Sequence, residues 1–95
     1  MTAPVAQRRR VKVLHRDGVH ARPCAQIAKL VRRSRSKVRI VGPRGEADAG
    51  SVLELMTLAL VEGQEAEIVA TGPDAASVLD ALVSLFARAF DEEGA

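Results

Sequence analysis

Asp17-Gly18-Val19-His20-Ala21-Arg22-Pro23-Cys24-Ala25 decides how this chain is organised. Asp-Gly is a turn dipeptide. Proline fits a helix only in its first turn, where its missing N–H would have had no intrahelical partner. The stretch therefore predicts a tight turn feeding the start of a helix, with His20 at the junction and Arg22 two residues on. Helix starts favour anions because their N–H groups and the macrodipole direct positive charge outward, and a guanidinium adds a planar donor fork suited to phosphate. An imidazole placed there has the surroundings of a group that takes and holds an anion.

Upstream, Val11, Val13 and His15 alternate with Arg10, Lys12, Leu14 and Arg16, which predicts a first strand over about residues 8–15. Downstream, Cys24, Ile27, Ala28 and Val31 recur at three- and four-residue spacing, the signature of an amphipathic helix from Ala21. Lys37 to Val41 alternates charged and β-branched residues and reads as a half-buried strand. Gly42-Pro43-Arg44-Gly45 turns it into a short strand over Glu46 to Ala49. Ser51-Val52-Leu53-Glu54 has the form of a capping box, which predicts a short helix over residues 51–60 that stops near Gly63. Glu65 to Thr71 reads as the last strand. Gly72-Pro73-Asp74 then leads into a helix of about residues 75–90 with a broad apolar stripe from Val78 to Phe90.

The order βαββαβα, with alternating strands and amphipathic helices, predicts an α+β fold in which helices cover one face of a small sheet. The tight turn between the middle strands favours antiparallel pairing. Ninety-five residues suffice for one core, so residues 1–95 read as a single domain with residues 1–7 frayed. No run is apolar for long enough to span a membrane. The N-terminus lacks a secretory apolar segment, and the lone Cys24 cannot form an internal disulfide; together these predict a cytoplasmic protein. The net charge of +2 is unevenly spread, with basic residues crowding the first half and Asp91, Glu92 and Glu93 near the end, which suggests an acidic partner.

The segment Asp17 to Ala25 resembles the active-site signature of the HPr family, the histidine-containing phosphocarriers of the bacterial phosphoenolpyruvate-dependent phosphotransferase system. Gly50-Ser51-Val52-Leu53-Glu54-Leu55-Met56-Thr57-Leu58 is similar to the stretch around that family's regulatory serine and docking helix. Ala70-Thr71-Gly72-Pro73-Asp74 and Leu85 to Glu92 look most like its nitrogen-related (NPr-like) branch. The match runs from about Val11 to Glu92 without a large gap.

The resemblance implies an open-faced β-sandwich, four antiparallel strands with three helices on one face. It implies that enzyme I passes a phosphoryl group to Nδ1 of His20 and that His20 gives it to an enzyme IIA domain, in sugar transport or in nitrogen and metabolic regulation. Such a protein is a stoichiometric monomeric carrier rather than an enzyme. Arg22 would stabilise the phosphoryl group and Pro23 would fix the helix start. Ser51 would be a regulatory site where an HPr kinase/phosphorylase exists. Val19, Val52, Leu53 and Met56 would form the apolar docking patch, with Lys29 and Arg32 on its basic rim. Glu54 departs from the neutral or basic residue common there.

Plainer roles stand beside these. His15 reads as a strand-end residue without a catalytic part. Ser51 is a helix cap whatever else it does. His20 and Cys24 share a four-residue spacing, but two ligands are too few for a metal centre, and no cofactor is expected. Arg8-Arg9-Arg10 reads as a solvated strand edge that deters edge pairing. The main alternative is a small ferredoxin-like regulatory or nucleic-acid-binding domain. Against it, the chain has no Tyr or Trp and only Phe86 and Phe90, both on the last helix's apolar stripe, so it offers no base-stacking platform and nucleic acid is not an expected partner.

Overall fold

A computed structural model describes residues 5–91. Its elements are β1 (Gln7–Lys12), α1 (Ala21–Arg33), β2 (Lys37–Gly42), β3 (Gly45–Asp48), α2 (Val52–Thr57), β4 (Glu65–Thr71) and α3 (Ala75–Ala87). The strands form one antiparallel sheet in the order β1-β4-β2-β3. Period-two patterning puts Val11, Val13, Val38, Ile40, Ala66, Ile68 and Ala70 on the covered face. There they meet Ile27, Ala28 and Val31 of α1, Leu55 of α2, and Val78, Leu79, Leu82, Leu85 and Phe86 of α3. The opposite face is open and carries charged residues in register, Arg10 across from Glu67 and Arg39 across from Asp48.

The arginine run lies on β1 at the sheet edge. Arg8 reaches Glu67 at 3.0 Å and Arg9 reaches Asp80 of α3 at 3.7 Å, so two of the three also tie the edge strand to its neighbours. The acidic ending is only partly visible, since Glu92 and Glu93 lie outside the described residues.

Beside one-residue shifts in β2, in β3 and at the start of α2, four boundaries differ from the sequence reading. Gln7 already pairs with Ala70, so the strand starts inside the stretch expected to fray; residues 1–4 of that stretch lie outside the described residues. β1 stops at Lys12 rather than near residue 15. Val13 still exchanges backbone bonds with Gln64 and Gly63 and stays fully buried, so the alternation persists one residue past the ladder. α2 ends at Thr57 instead of residue 60. Leu58 and Leu60 are both core residues, and two positions apart on a helix they would point to different sides; Ala59, at φ 46°, turns the chain so that both go inward. α3 ends at Ala87 instead of residue 90, where Ala89 (φ 53°) and Phe90 (φ 61°) fold the chain back. The N–H of Phe90 donates to the Leu85 carbonyl at 3.0 Å, and its ring packs on Phe86 at 4.8 Å.

The capping box is half formed. The Ser51 hydroxyl accepts from the Glu54 N–H at 3.2 Å, but the Glu54 carboxylate accepts from the Asp48 N–H at 3.1 Å instead of returning to Ser51. The Ser51 N–H is already taken by the Asp48 carbonyl at 3.0 Å, which leaves the carboxylate free to brace the preceding turn.

Candidate functional site

Two backbone bonds anchor the loop between Val13 and His20. The Gly18 N–H donates to the His15 carbonyl and the Val19 N–H to the Leu60 carbonyl, both at 2.9 Å. Gly18 has φ +70°, and a Cβ there would lie 2.4 Å from the Leu60 oxygen. A glycine is therefore required twice over, for the dihedral and for the close approach. This seam fixes where α1 begins.

His20 is the N-cap of α1, with extended backbone (φ −98°, ψ −164°). Its carbonyl receives the Cys24 N–H at 3.0 Å, but its side chain makes no capping hydrogen bond. The imidazole is exposed and not engaged in ending the helix. Arg22 is exposed on the first turn, while Pro23 is buried at the third helical position, where it seats the turn against the core. His20, Arg22 and Pro23 line one open cavity of ≈ 460 Å³ together with His15, Asp17, Gln26, Arg88, Ala89, Phe90 and Asp91.

Several of those residues were not expected at the site from the sequence. His15, expected to be a plain strand-end residue, stands with its ring centroid 5.6 Å from that of His20, the planes at 68°. The Asp17 N–H donates to His15 Nδ1 at 3.1 Å. Gln26 comes from α1 itself, and Arg88 and Phe90 arrive because the chain folds back after α3: the Gln26 side-chain amide donates to the Phe90 carbonyl at 3.2 Å and draws the end of α3 to the start of α1. Gln26 Oε1 is buried there without a partner among the described residues. For His15 and Asp17 a signal existed, the spacing His15-x-Asp17-x-x-His20 across a glycine turn, which brings all three to one spot.

Metal chemistry gains little from this cluster. Side-chain ligand atoms of His15, Asp17 and His20 lie within 4.8 Å of one another. A ligating histidine ordinarily donates from its other ring nitrogen, whereas His15 Nδ1 accepts. Cys24 does not join His20: it is fully buried, its thiol directed to the Val19 carbonyl at 3.8 Å, and burial pushes its pKa up to about 11.

The residues expected to form a docking patch divide by exposure. Leu53 and Met56 on α2 are 80% and 44% exposed, and Lys29 and Arg32 are exposed on α1. Arg32 Nε donates to the Gly50 carbonyl at 2.7 Å, linking the basic rim to the start of α2. Val52 is half-buried against the core. Val19 is a correction: at 6% exposure it belongs to the core. The bond from its N–H to the Leu60 carbonyl at 2.9 Å holds it against the core, while the neighbouring His20 is exposed. Ser51 lies outside the His20 cavity.

Several known proteins resemble this chain. A family model described as "PTS HPr component phosphorylation site" matches residues 7–88. The phosphocarrier protein HPr of Treponema pallidum (strain Nichols) is 41% identical over 83 residues, covering 87% of this chain and 94% of that protein. The phosphocarrier protein NPr of Proteus mirabilis is 37% identical over 90 residues, covering 94% and 100%. Among solved structures, HPr-C-His from Thermoanaerobacter tengcongensis superposes with a TM-score of 0.84 at 25% identity, over 92% of this chain and 98% of that one.

Proposed function

This chain belongs to the HPr family of phosphotransferase-system phosphocarriers, and we propose accordingly that it accepts a phosphoryl group from phosphorylated enzyme I on Nδ1 of His20 and hands it to an enzyme IIA domain. The observation that carries the reading is His20 itself: an exposed imidazole at a helix N-cap, making no capping bond, beside Arg22 on an open cavity.

A neutral imidazole keeps one ring lone pair at physiological pH. That pair attacks phosphorus, an N–P bond forms on His20, and the donor's bond to phosphorus breaks with its electron pair returning to the donor. The first turn of α1 and the Arg22 guanidinium then share the charge on the phosphoryl oxygens. Such transfer needs positioning and neutralisation more than covalent help. The hold must stay modest, because stabilising the loaded carrier uniformly would not speed the onward step. The exposed Leu53 and Met56, rimmed by Lys29 and Arg32, would seat the partners, with Val52 beneath them.

The same carrier could serve sugar uptake or nitrogen and metabolic regulation in the cytoplasm. The nitrogen-type ending favours regulation, as do its NPr relatives, while an HPr relative is comparably similar. Both phenylalanines are buried, which supports a carrier over the nucleic-acid-binding alternative. No helix among the described residues is long and apolar enough to cross a membrane.

The test is intact-mass analysis after incubation with phosphoenolpyruvate and purified enzyme I of either branch, wild type beside His20→Ala. An acid-labile gain of one phosphoryl group in wild type alone supports the reading, and the faster enzyme I names the branch. No gain from folded wild type with either enzyme would sink it.

A further inference from the structure

We propose that His15 is a second phosphoryl-contacting group of this site, its Nε2–H donating a hydrogen bond to an oxygen of the phosphoryl group on His20. The inference deepens the carrier reading and rests on it.

The geometry begins with a bond from a backbone amide to the His15 ring. Asp17 N–H donates to His15 Nδ1 at 3.1 Å, and an imidazole that accepts at Nδ1 carries its proton, when neutral, on Nε2. The donor amide is held by the turn, since the next N–H, that of Gly18, returns to the His15 carbonyl at 2.9 Å. The turn that delivers His20 thus also selects the tautomer of His15 and makes its outer nitrogen a standing donor. That ring is half-buried and set edge-wise to His20 at 5.6 Å.

Spacing suits a phosphoryl group. The ligand atoms of His15, Asp17 and His20 lie within 4.8 Å of one another. One N–P bond, one P–O bond and a charge-assisted N–H···O contact of about 2.8 Å together bridge ring nitrogens roughly 4–5 Å apart.

The charge balance gives the donor a purpose. Asp17 turns a carboxylate toward the same space, and its charge opposes that of the phosphoryl group, while Arg22 and Arg88 line the cavity with positive charge. A neutral Nε2–H adds a directed bond without adding another full charge, so it steadies the loaded state without trapping it. The proton stays on Nε2 throughout.

The experiment compares wild type, His15→Phe, which keeps a ring but no donor, and His15→Asn, which restores a short neutral N–H donor. Each is equilibrated with enzyme I and phosphoenolpyruvate-derived phosphoryl groups, and the loaded fraction is read by intact mass. Imidazole 15N–1H NMR follows His15 in wild type before and after loading. Loss of a hydrogen bond to a charged group should shift the transfer equilibrium of His15→Phe about tenfold toward enzyme I, with His15→Asn recovering part of it. Before loading, His15 should show the Nε2–H tautomer, and loading should move that proton downfield, which a purely structural histidine would not do. An equilibrium for His15→Phe within twofold of wild type, or an Nδ1–H tautomer, overturns the role of His15 while leaving the carrier reading in place. A wild type that takes no phosphoryl group overturns both.

Discussion

Substituting Gly18 by alanine should damage this protein more than the same change at Gly63, although both glycines have positive φ. Gly63 sits at φ +89°, and a methyl group there would have nothing within 4 Å of it, so Gly63→Ala meets only the left-handed backbone penalty, about 1 kcal/mol. Gly18 sits at φ +70° and incurs a similar penalty, but its Cβ would also stand 2.4 Å from the Leu60 oxygen, a backbone atom that cannot swing aside. Relief requires the loop to move off Leu60, which breaks the 2.9 Å bond from the buried Val19 N–H. Leaving that donor unsatisfied adds about 2 kcal/mol, for a total of about 3 kcal/mol. At roughly 5 °C per kcal/mol for a domain of this size, thermal melting should fall by about 15 °C for Gly18→Ala and about 5 °C for Gly63→Ala. Phosphoryl acceptance should fall with the first variant even at temperatures where it remains folded, because the displaced segment carries His20. Equal melting shifts for the two variants would rule out the role given to the Leu60 seam, and so would normal loading kinetics in a destabilised Gly18→Ala.

Other consequences follow from single contacts. Asp74 accepts from the Ser36 hydroxyl at 2.5 Å and from the Arg35 N–H at 3.0 Å, and these bonds hold its carboxyl below the ordinary value of 3.8. A depressed folded pKa contributes stability that is present above about pH 4 and is lost as pH falls through the folded value, so the melting gap between wild type and Asp74→Asn should narrow from pH 6 to pH 3; a constant gap would contradict this. Ser51→Ala removes the cap on α2 and should cost about 1 kcal/mol in a urea melt, whereas Ser51→Asp keeps a capping oxygen and should melt near wild type yet bind enzyme I more weakly. Unchanged enzyme I affinity for Ser51→Asp would remove the regulatory reading of that serine. Leu53→Asp, at a site 80% exposed, should leave the melting curve alone and weaken partner binding in calorimetry. Cys24, buried and with its thiol raised to about 11, should resist alkylation at pH 8 in the folded protein while the urea-unfolded chain reacts fully.

The element order, the antiparallel sheet and the place of His20 at a helix start are all legible along the chain. They rest on short-range chemistry: two- and three-to-four-residue periodicities, the Asp17-Gly18 turn, and Pro23 in a first helical turn. Long-range packing settles something else, namely where chain reversals send side chains that local pattern treats alike. Phe90 continues the apolar stripe of α3, yet it leaves the helix where its carbonyl meets Gln26 on α1, and Arg88 and Asp91 reach the cavity with it. Val19 reads as an exposed apolar residue, but the Leu60 seam holds it against the core beside the exposed His20. His15 looks like the end of a strand until the ladder stops at Lys12 and its ring turns to face His20. Local patterns set which residues can start, line or end an element, whereas contacts between residues far apart in sequence set which of them share one side of a cavity.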